Sequence, residues 1–186
     1  MDLSLWLALL AGVGVAAASG LRAFLPLLVL GIAARLGMIE LQPGARWLAS
    51  SPALVCFGAA AVIEILGDKI PVVDHMLDLV GTVLRPAAAW LGAYAVLAHW
   101  PAPWGQVAAV VLGGGALLLH AAKAKLRLGS TAVTFGHGNP LLSLAEDATA
   151  AMLLVAAILA PIVSLFLVIL AVWALGARRR KRAVAA

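Results

Sequence analysis

Apolar residues occur along this chain in long blocks that are separated by shorter polar stretches. The blocks cover residues 3–19, 23–38, 47–66, 86–100, 105–121 and 148–176. A membrane-spanning helix needs about 20 mostly apolar residues, so the blocks predict an all-α polytopic membrane protein with about five to seven membrane helices. The number stays open because residues 67–85 and 122–147 are more polar.

The first polar stretch carries the pattern of an amphipathic helix. From Val73 onward, apolar residues recur on one helical face, whereas the opposite face carries Asp74, Asp78, Thr82 and Arg85. Such a helix either lies in the membrane interface or lines a polar cavity. The pattern does not choose between these two positions.

The second polar stretch predicts a broken or re-entrant membrane segment. Asn139 followed by Pro140 is typical of an N-cap and a first helical turn. The helix that follows places three polar side chains along one face, and these are Ser143, Glu146 and Asp147. Before this helix, glycines and hydroxyl residues suit exposed backbone, and the hydroxyl residues are Ser130, Thr131 and Thr134.

The composition predicts a membrane protein without a separate soluble domain. Of the 186 residues, 65% are hydrophobic and 11% are charged, and the mean hydropathy is +1.09. We therefore expect one helical transmembrane domain over residues 1–177, followed by a basic tail at 178–186. Basic residues next to a membrane helix stay in the cytoplasm. The run from Arg178 to Arg182 thus predicts a cytoplasmic C-terminus, and we expect no nucleic-acid partner.

Acidic residues are concentrated in two groups. Four of the eight fall between Glu64 and Asp78, and Glu146 and Asp147 form the second group. An ionised side chain inside a bilayer is costly, so such residues usually face a polar interior or water. Glu64 and Asp68 are four positions apart, so on a continuous helix both project from one face and could share one cation.

A divalent cation is therefore the one cofactor that the sequence suggests. Its candidate ligands are the carboxylates of both acidic groups, namely Glu64, Asp68, Glu146 and Asp147. The alternative is an ordinary helix end whose charges reach headgroup water, with Lys69 neutralising one carboxylate. A lone cysteine, Cys56, excludes a cysteine-based metal cluster.

A basic group precedes the second acidic group. Lys123, Lys125 and Arg127 could bind the phosphate of an anionic lipid headgroup at a cytoplasmic surface. The alternative is that they only set the topology of the neighbouring helix. The sequence leaves both interpretations open.

Several short motifs together resemble one bacterial family. They are Ser19-Gly-Leu-Arg22-Ala-Phe-Leu-Pro26, Gly67-Asp-Lys-Ile-Pro71-Val-Val-Asp74, Arg85-Pro86, and Gly129-Ser-Thr through Asn139-Pro140 to Ser143 and Glu146-Asp147. With them the chain resembles, over residues 17–150, the family catalogued as domain of unknown function 4126. The resemblance implies a small multi-pass protein of the bacterial cytoplasmic (inner) membrane, and it implies no particular activity. Arg22, Lys69 and Arg85 lie in these motifs and are candidate supporting residues.

A looser similarity is to calcium and manganese exchangers whose helices carry two copies of Glu-x-Gly-Asp-Lys/Arg-Ser/Thr. In this chain the interval from Glu64 to Asp68 has one extra residue, Ile70 replaces the hydroxyl residue, and Glu146-Asp147 lacks the glycine. The similarity implies only that two acidic half-sites on different helices can form one cation path.

These features favour a transporter or channel for a cation or for a proton-coupled small solute. Its candidate residues are the polar groups of the two stretches, namely Glu64, Asp68, Asp74, Asp78, Asn139, Ser143, Glu146 and Asp147. A chain this short would work as a homo-oligomer, most often a two-fold dimer.

Two other classes of function stay open. In a non-catalytic scaffold or lipid-binding protein, the charges would pair between helices and fix their packing. In an enzyme, Asp74 and Asp78 could hold Mg²⁺ against a lipid diphosphate. The chain contains no GxSxG, HExxH, P-loop or CxxC motif, so an enzyme is the less favoured of these classes.

Overall fold

The computed structural model describes residues 2–134, 138–161, 163, 166–170 and 172–173, without the side chains of Pro71, Val72, Asp74, His75 and Asn139. Within these residues the chain forms helices and no β-strand. The elements are α1 (Leu3–Leu21), α2 (Phe24–Arg35), a short 3-10 helix (Pro43–Ala49), α3 (Ser51–Gly67), α4 (Pro71–Val96), α5 (Trp104–Thr134) and α6 (Asn139–Leu159). The basic tail predicted for 178–186 lies outside the described residues.

Four helices are long and apolar enough to cross a membrane, and they are α1, α4, α5 and α6. The 3-10 helix and α3 form a pair bent by 68° that provides a fifth candidate span, whereas α2 is too short to cross alone. The all-α polytopic architecture is therefore confirmed. The described part of the chain supplies four spans, or five if the bent pair is one span, and only the count of five reaches the range predicted from the sequence.

The polar stretches belong to long helices. Residues 71–85 are the first half of α4, which continues past Pro86 to Val96, so the predicted amphipathic helix is one part of a longer span. Residues 122–134 continue α5, and α6 then begins at Asn139 with Gly138 as its N-cap. The sequence predicted a broken or re-entrant segment within residues 122–147, and residues 135–137 of that stretch lie outside the described part. The observed bend lies earlier, between Ala49 and Ser51.

Helix α1 lies at the centre of the bundle, in contact with α4, α5 and α6. Its second half is almost entirely buried and consists of small residues, which allow membrane helices to approach closely. Gly20 shows how close the approach is, because an added Cβ would lie 2.8 Å from the carbonyl oxygen of Ala116 on α5. The small-residue pattern of α1 thus specifies its central position.

The two ends of the bundle differ in chemistry. Four tryptophans lie near one end, as expected for an aromatic belt at a membrane interface. They are Trp6 at the start of α1, Trp47 on the 3-10 helix, Trp100 before α5, and Trp104 at the first position of α5. His120 follows Trp104 by 16 residues on α5, which is about 24 Å along a helix. The charged residues that follow His120 therefore lie well away from the tryptophans.

Candidate functional site

The bundle encloses charged and polar side chains from α1, α3, α4, α5 and α6, which we call the buried network. It consists of Arg22, Glu64, Asp68, Asp78, Thr82, Arg85, His120, Lys123, Arg127, Ser143, Glu146 and Asp147. On each long helix these residues recur at offsets of three, four or seven, which places them on one helical face. The inward face of each helix is therefore polar where it borders the buried network and apolar along the rest of its length.

Asp68, the C-cap residue of α3, lies at the centre of the buried network. Its Oδ2 atom accepts hydrogen bonds from Arg22 and from Nη2 of Arg127 at 2.8 Å, and Nζ of Lys123 lies 3.8 Å away. Its Oδ1 atom is buried and has no hydrogen-bond partner among the described residues. One oxygen of Asp68 thus faces three cations, whereas the other is unpartnered.

Arg22 occupies the extended junction between α1 and α2 and is fully buried. It pairs with Asp68, its Nη2 donates to Oγ of Ser143 at 2.9 Å, and its Nε lies 2.6 Å from Oδ1 of Asp147. Its Nη1 also donates to the backbone oxygen of Glu64 at 3.4 Å. This one guanidinium therefore connects α1 with α3 and α6.

Glu64 caps the N-terminus of α2. Its Oε1 accepts from the backbone N–H of Ala23 at 3.0 Å, and its Oε2 accepts from that of Phe24 at 3.2 Å. The first N–H groups of a helix lack partners within the helix and carry partial positive charge, so a carboxylate is well placed there. Nη2 of Arg85 approaches the same carboxylate to 3.7 Å.

Glu146 on α6 holds the two cations of α5. Nε and Nη2 of Arg127 donate to its two carboxylate oxygens at 3.3 and 2.6 Å. Nζ of Lys123 lies 3.0 Å from Oε2 and also donates to the backbone oxygen of Leu21 at 3.2 Å. Paired contacts of this kind fix a guanidinium in orientation as well as position.

Arg85 on α4 organises the remaining part of the buried network. It donates from Nη1 to Oδ1 of Asp78 at 3.2 Å and to Nδ1 of His120. Thr82 donates its hydroxyl proton to the backbone oxygen of Asp78, so its oxygen can accept from Nε2–H of His120 at 3.3 Å. These contacts assign His120 as the neutral tautomer protonated on Nε2.

A matched pair of substitutions tests this assignment. Glutamine can donate to Thr82 and accept from Arg85, so we expect His120→Gln to unfold within a few degrees of the wild type. His120→Leu leaves a buried guanidinium donor without its acceptor, and we expect a loss of about 1–3 kcal/mol. Thermal unfolding in detergent measures both. Equal stability of the two variants would contradict the assigned hydrogen bonds.

The charges of the buried network do not balance. Its described side chains include five carboxylates and the four permanent cations Arg22, Arg85, Lys123 and Arg127. With His120 neutral, the network carries one excess negative charge. Uptake of one proton would therefore neutralise it.

Most of the residues predicted from the sequence meet in this network, but several do not. Lys69 is exposed and donates to the backbone oxygen of Ile65 at 2.9 Å, so it does not neutralise Asp68. Thr134 bonds the backbone of Ser130 and Gly138 beyond the network, and Thr131 is exposed. The side chains of Asp74 and Asn139 lie outside the described part.

The basic residues of α5 are divided between two environments. Lys123 and Arg127 are buried and pair with carboxylates, so they do not face lipid headgroups, which was one of the two interpretations that the sequence left open. Lys125 is exposed and borders an apolar groove of about 590 Å³ between α1, α5 and the residues around Val168. Of these three side chains, Lys125 is the one placed to contact a lipid.

The carboxylates face basic side chains and not a common metal position. Asp68 and Glu146 pair with Lys123 and Arg127, while Glu64 contacts the backbone of α2. Among the described residues, no three histidine, cysteine, aspartate or glutamate side chains are arranged to hold one metal ion. The divalent-cation site predicted from Glu64, Asp68, Glu146 and Asp147 is thus not formed in this part of the chain. Asp78 pairs with Arg85, and the side chain of Asp74, the other residue of the Mg²⁺ pair considered for an enzyme, lies outside the described part.

Two members of the buried network, His120 and Thr82, were not among the candidate site residues taken from the sequence. His120 lies three and seven positions before Lys123 and Arg127, so the spacing of the helix could have placed it on their face. Thr82 lies on the predicted polar face of α4 but was not singled out. Ser19, which opens the motif that contains Arg22, lies one turn before it, fully buried and with an unpartnered hydroxyl among the described residues.

Comparisons with known proteins identify a family and no function. No curated protein and no solved structure matches the chain. The model of one protein family matches residues 9–180, a region that contains the whole buried network. The chain therefore belongs to the family described as domain of unknown function 4126.

Proposed function

We propose that this protein is a proton-coupled transporter of a small solute, in which Asp68 takes up the coupled proton. The observation that carries the proposal is the environment of the Asp68 carboxylate. One oxygen is held by three cations, and the other is buried without a partner in the described part of the chain. Ionisable groups inside membrane proteins are expensive to keep and usually mark ion pathways or proton relays.

The excess carboxylate supports a proton as the coupled ion. A metal cation would have to compete with the arginines and lysine that already occupy the positions between the carboxylates. A proton needs no such space, because it binds directly to a carboxylate oxygen. We therefore favour the proton-coupled form of the transport hypothesis over the metal-cation form.

A cavity at the tryptophan end supplies one side of a path. It has a volume of about 240 Å³, and its lining extends from His99 and Glu40 down to Val15 and Leu30. Arg22 lies seven positions after Val15, which is about 10 Å along a helix. In that interval Ala18 and Ser19 are fully buried, so the path is closed between the cavity and the buried network.

The second candidate function is a non-catalytic scaffold. It is favoured by the observation that the ion pairs of the network connect α1 with α3 and α6, and α5 with α6. In a scaffold these pairs would serve only to fix helix packing. Changing Asp68 would then lower only the stability of the protein, and no solute would drive proton movement with the wild type or with the variant.

We further propose the bacterial inner membrane as the location, with the C-terminus in the cytoplasm and two copies forming a dimer. The basic tail supports this orientation by the positive-inside rule. Large apolar side chains cover the outside of the bundle, including Val55 and Ile63 on α3, and a second copy or lipid would cover them. Lys125 is the proposed contact for an anionic headgroup.

Solute-driven proton movement in liposomes tests the transport proposal. Purified protein would be reconstituted with a pH-sensitive dye inside, and a panel of small anions, cations and neutral solutes would be added outside. We expect one solute class to change the internal pH with wild type and not with Asp68→Asn. Asparagine keeps an oxygen that can accept from Arg22 and Arg127, so this variant should remain folded.

Asp2→Asn is the matched control, because Asp2 is exposed at the start of α1, makes no side-chain cap hydrogen bond, and lies outside both the cavity and the buried network. It should behave as wild type. If no solute moves protons with any protein, and Asp68→Asn only lowers thermal stability, the transport proposal is wrong and the scaffold is favoured. A full solute response in Asp68→Asn would exclude Asp68 as the proton-binding group.

A further inference from the structure

We propose that Arg22, Lys123 and Arg127 form the binding site for a small monovalent anion, and that the Asp68 carboxylate occupies this site when no solute is bound. The inference rests on the proposed transport function and names its solute class. Three cations that converge on a single carboxylate oxygen form the arrangement that would bind a free carboxylate or an anion of similar size.

The three cations are held in place without Asp68. Arg22 also contacts Asp147 and Ser143 on α6, and Lys123 and Arg127 both contact Glu146. Asp68, in contrast, reaches the cations from the end of α3. Its carboxylate can therefore leave while the cations stay oriented, which is the property of a preformed site.

Charge balance explains why the anion should bind together with a proton. Around Asp68 the three cations face the three carboxylates of Asp68, Glu146 and Asp147, so this part of the network is neutral. An anion that bound alone would give it one excess negative charge. If Asp68 takes a proton from water on its unpartnered Oδ1 atom, this part of the network stays neutral. One proton and one monovalent anion then enter together, and no net charge is moved.

The same arrangement excludes other solute classes at this position. Three positive side chains repel metal cations, and a neutral solute could not replace the negative charge of Asp68 between them. The acidic groups that face the site are Glu146 and Asp147 from α6 and the more distant Glu64 from α3. A doubly charged anion would add to their repulsion, so a single negative charge fits best.

Thermal stability of the purified protein in formate tests the inference, because formate is a carboxylate with little else attached. Sodium gluconate at equal ionic strength is the reference for the general effect of salt. An anion that binds only the folded state raises the unfolding temperature with its concentration. We expect formate to stabilise Asp68→Asn at every pH and wild type mainly at mildly acidic pH. At alkaline pH, Asp68→Asn should bind formate about tenfold more tightly than wild type or better, a usual size for coupling between linked sites.

Three further variants define the site. Asp78→Asn removes a partly buried carboxylate that pairs with Arg85 and lies outside the three-cation site, so it should gain no affinity for formate. Adding Lys123→Gln to Asp68→Asn removes one cation and should abolish the formate effect. Asp68→Ala provides an independent version of the test, since it leaves the space of a carboxylate open to formate.

The outcomes separate this inference from the transport proposal. No formate effect in Asp68→Asn, or an equal effect in Asp78→Asn, would overturn the anion site. If a cation or neutral solute still moved protons in liposomes, the transport proposal would stand without it. Tight formate binding with no solute-driven proton movement would support the anion site and overturn transport.

Discussion

Replacing Arg22 by methionine should prevent the helices from forming a stable bundle. Methionine has a similar length and suits a membrane interior, but it would leave Asp68 and Asp147 without the guanidinium that now pairs with both. Removing one partner of a buried ion pair costs about 3–5 kcal/mol, which is a large part of the stability of most domains. Thermal unfolding and the yield of monodisperse protein in detergent would measure the loss.

Arg35→Met is the matched control for that substitution. Arg35 lies at the end of α2, is exposed, and donates to Oγ of Ser51 at 2.9 Å. Exposed contacts of this kind contribute little, so we expect a change below about 1 kcal/mol. Equal stability of Arg22→Met and Arg35→Met would show that the buried network does not hold the bundle together.

Glu64→Ala should release the start of α2. The substitution removes the acceptor of two backbone N–H groups, on Ala23 and Phe24, and leaves Arg85 with one carboxylate fewer. Each buried donor left unpaired costs about 1–3 kcal/mol. Glu64→Gln keeps one carbonyl oxygen, so its effect should lie between those of wild type and alanine.

Hydrogen exchange gives a local measurement of the same effect. The amides of Ala23 and Phe24 should exchange much faster in Glu64→Ala, while those in the middle of α5 should change less. Glu40→Ala, at an exposed glutamate, should change neither region. Unchanged exchange at Ala23 and Phe24 in Glu64→Ala would mean that Glu64 does not cap α2.

The sequence predicted the membrane class and much of the network because both depend on local spacing. Long apolar blocks specify spanning helices wherever they occur. Offsets of four between Glu64 and Asp68, and of four between Lys123 and Arg127, place each pair on one face. The same rule explains why Lys125, two positions from either neighbour, is exposed although all three residues are basic.

The partners of these side chains could not be predicted in the same way. Arg22 is separated from Asp68 by 46 residues and from Ser143 by 121, so their contact depends on how whole helices pack. The sequence shows carboxylates in groups, and a metal ion is a natural interpretation of such groups. The structure instead supplies their positive charge from Arg22 and the face of α5, which spacing within α3 or α6 does not reveal.

The lengths of α4 and α5 also could not be predicted from composition. The polar residues of α4 and α5 lower the local hydropathy, so the sequence suggested stretches between spans. Those residues face the interior of the bundle, where Asp78 pairs with Arg85, and where Lys123 and Arg127 pair with Glu146 and Asp68. A helix can therefore be polar on one face inside the membrane and still continue through it.

The proton balance of anion binding tests the central claim most directly. Formate would be added to weakly buffered, detergent-solubilised protein at mildly acidic pH, with a dye in solution to count protons. The account predicts uptake of about one proton per chain with wild type and with Asp2→Asn, and none with Asp68→Asn, because linked sites must exchange protons as they bind. Formate binding without proton uptake, or the same uptake in Asp68→Asn, would contradict it.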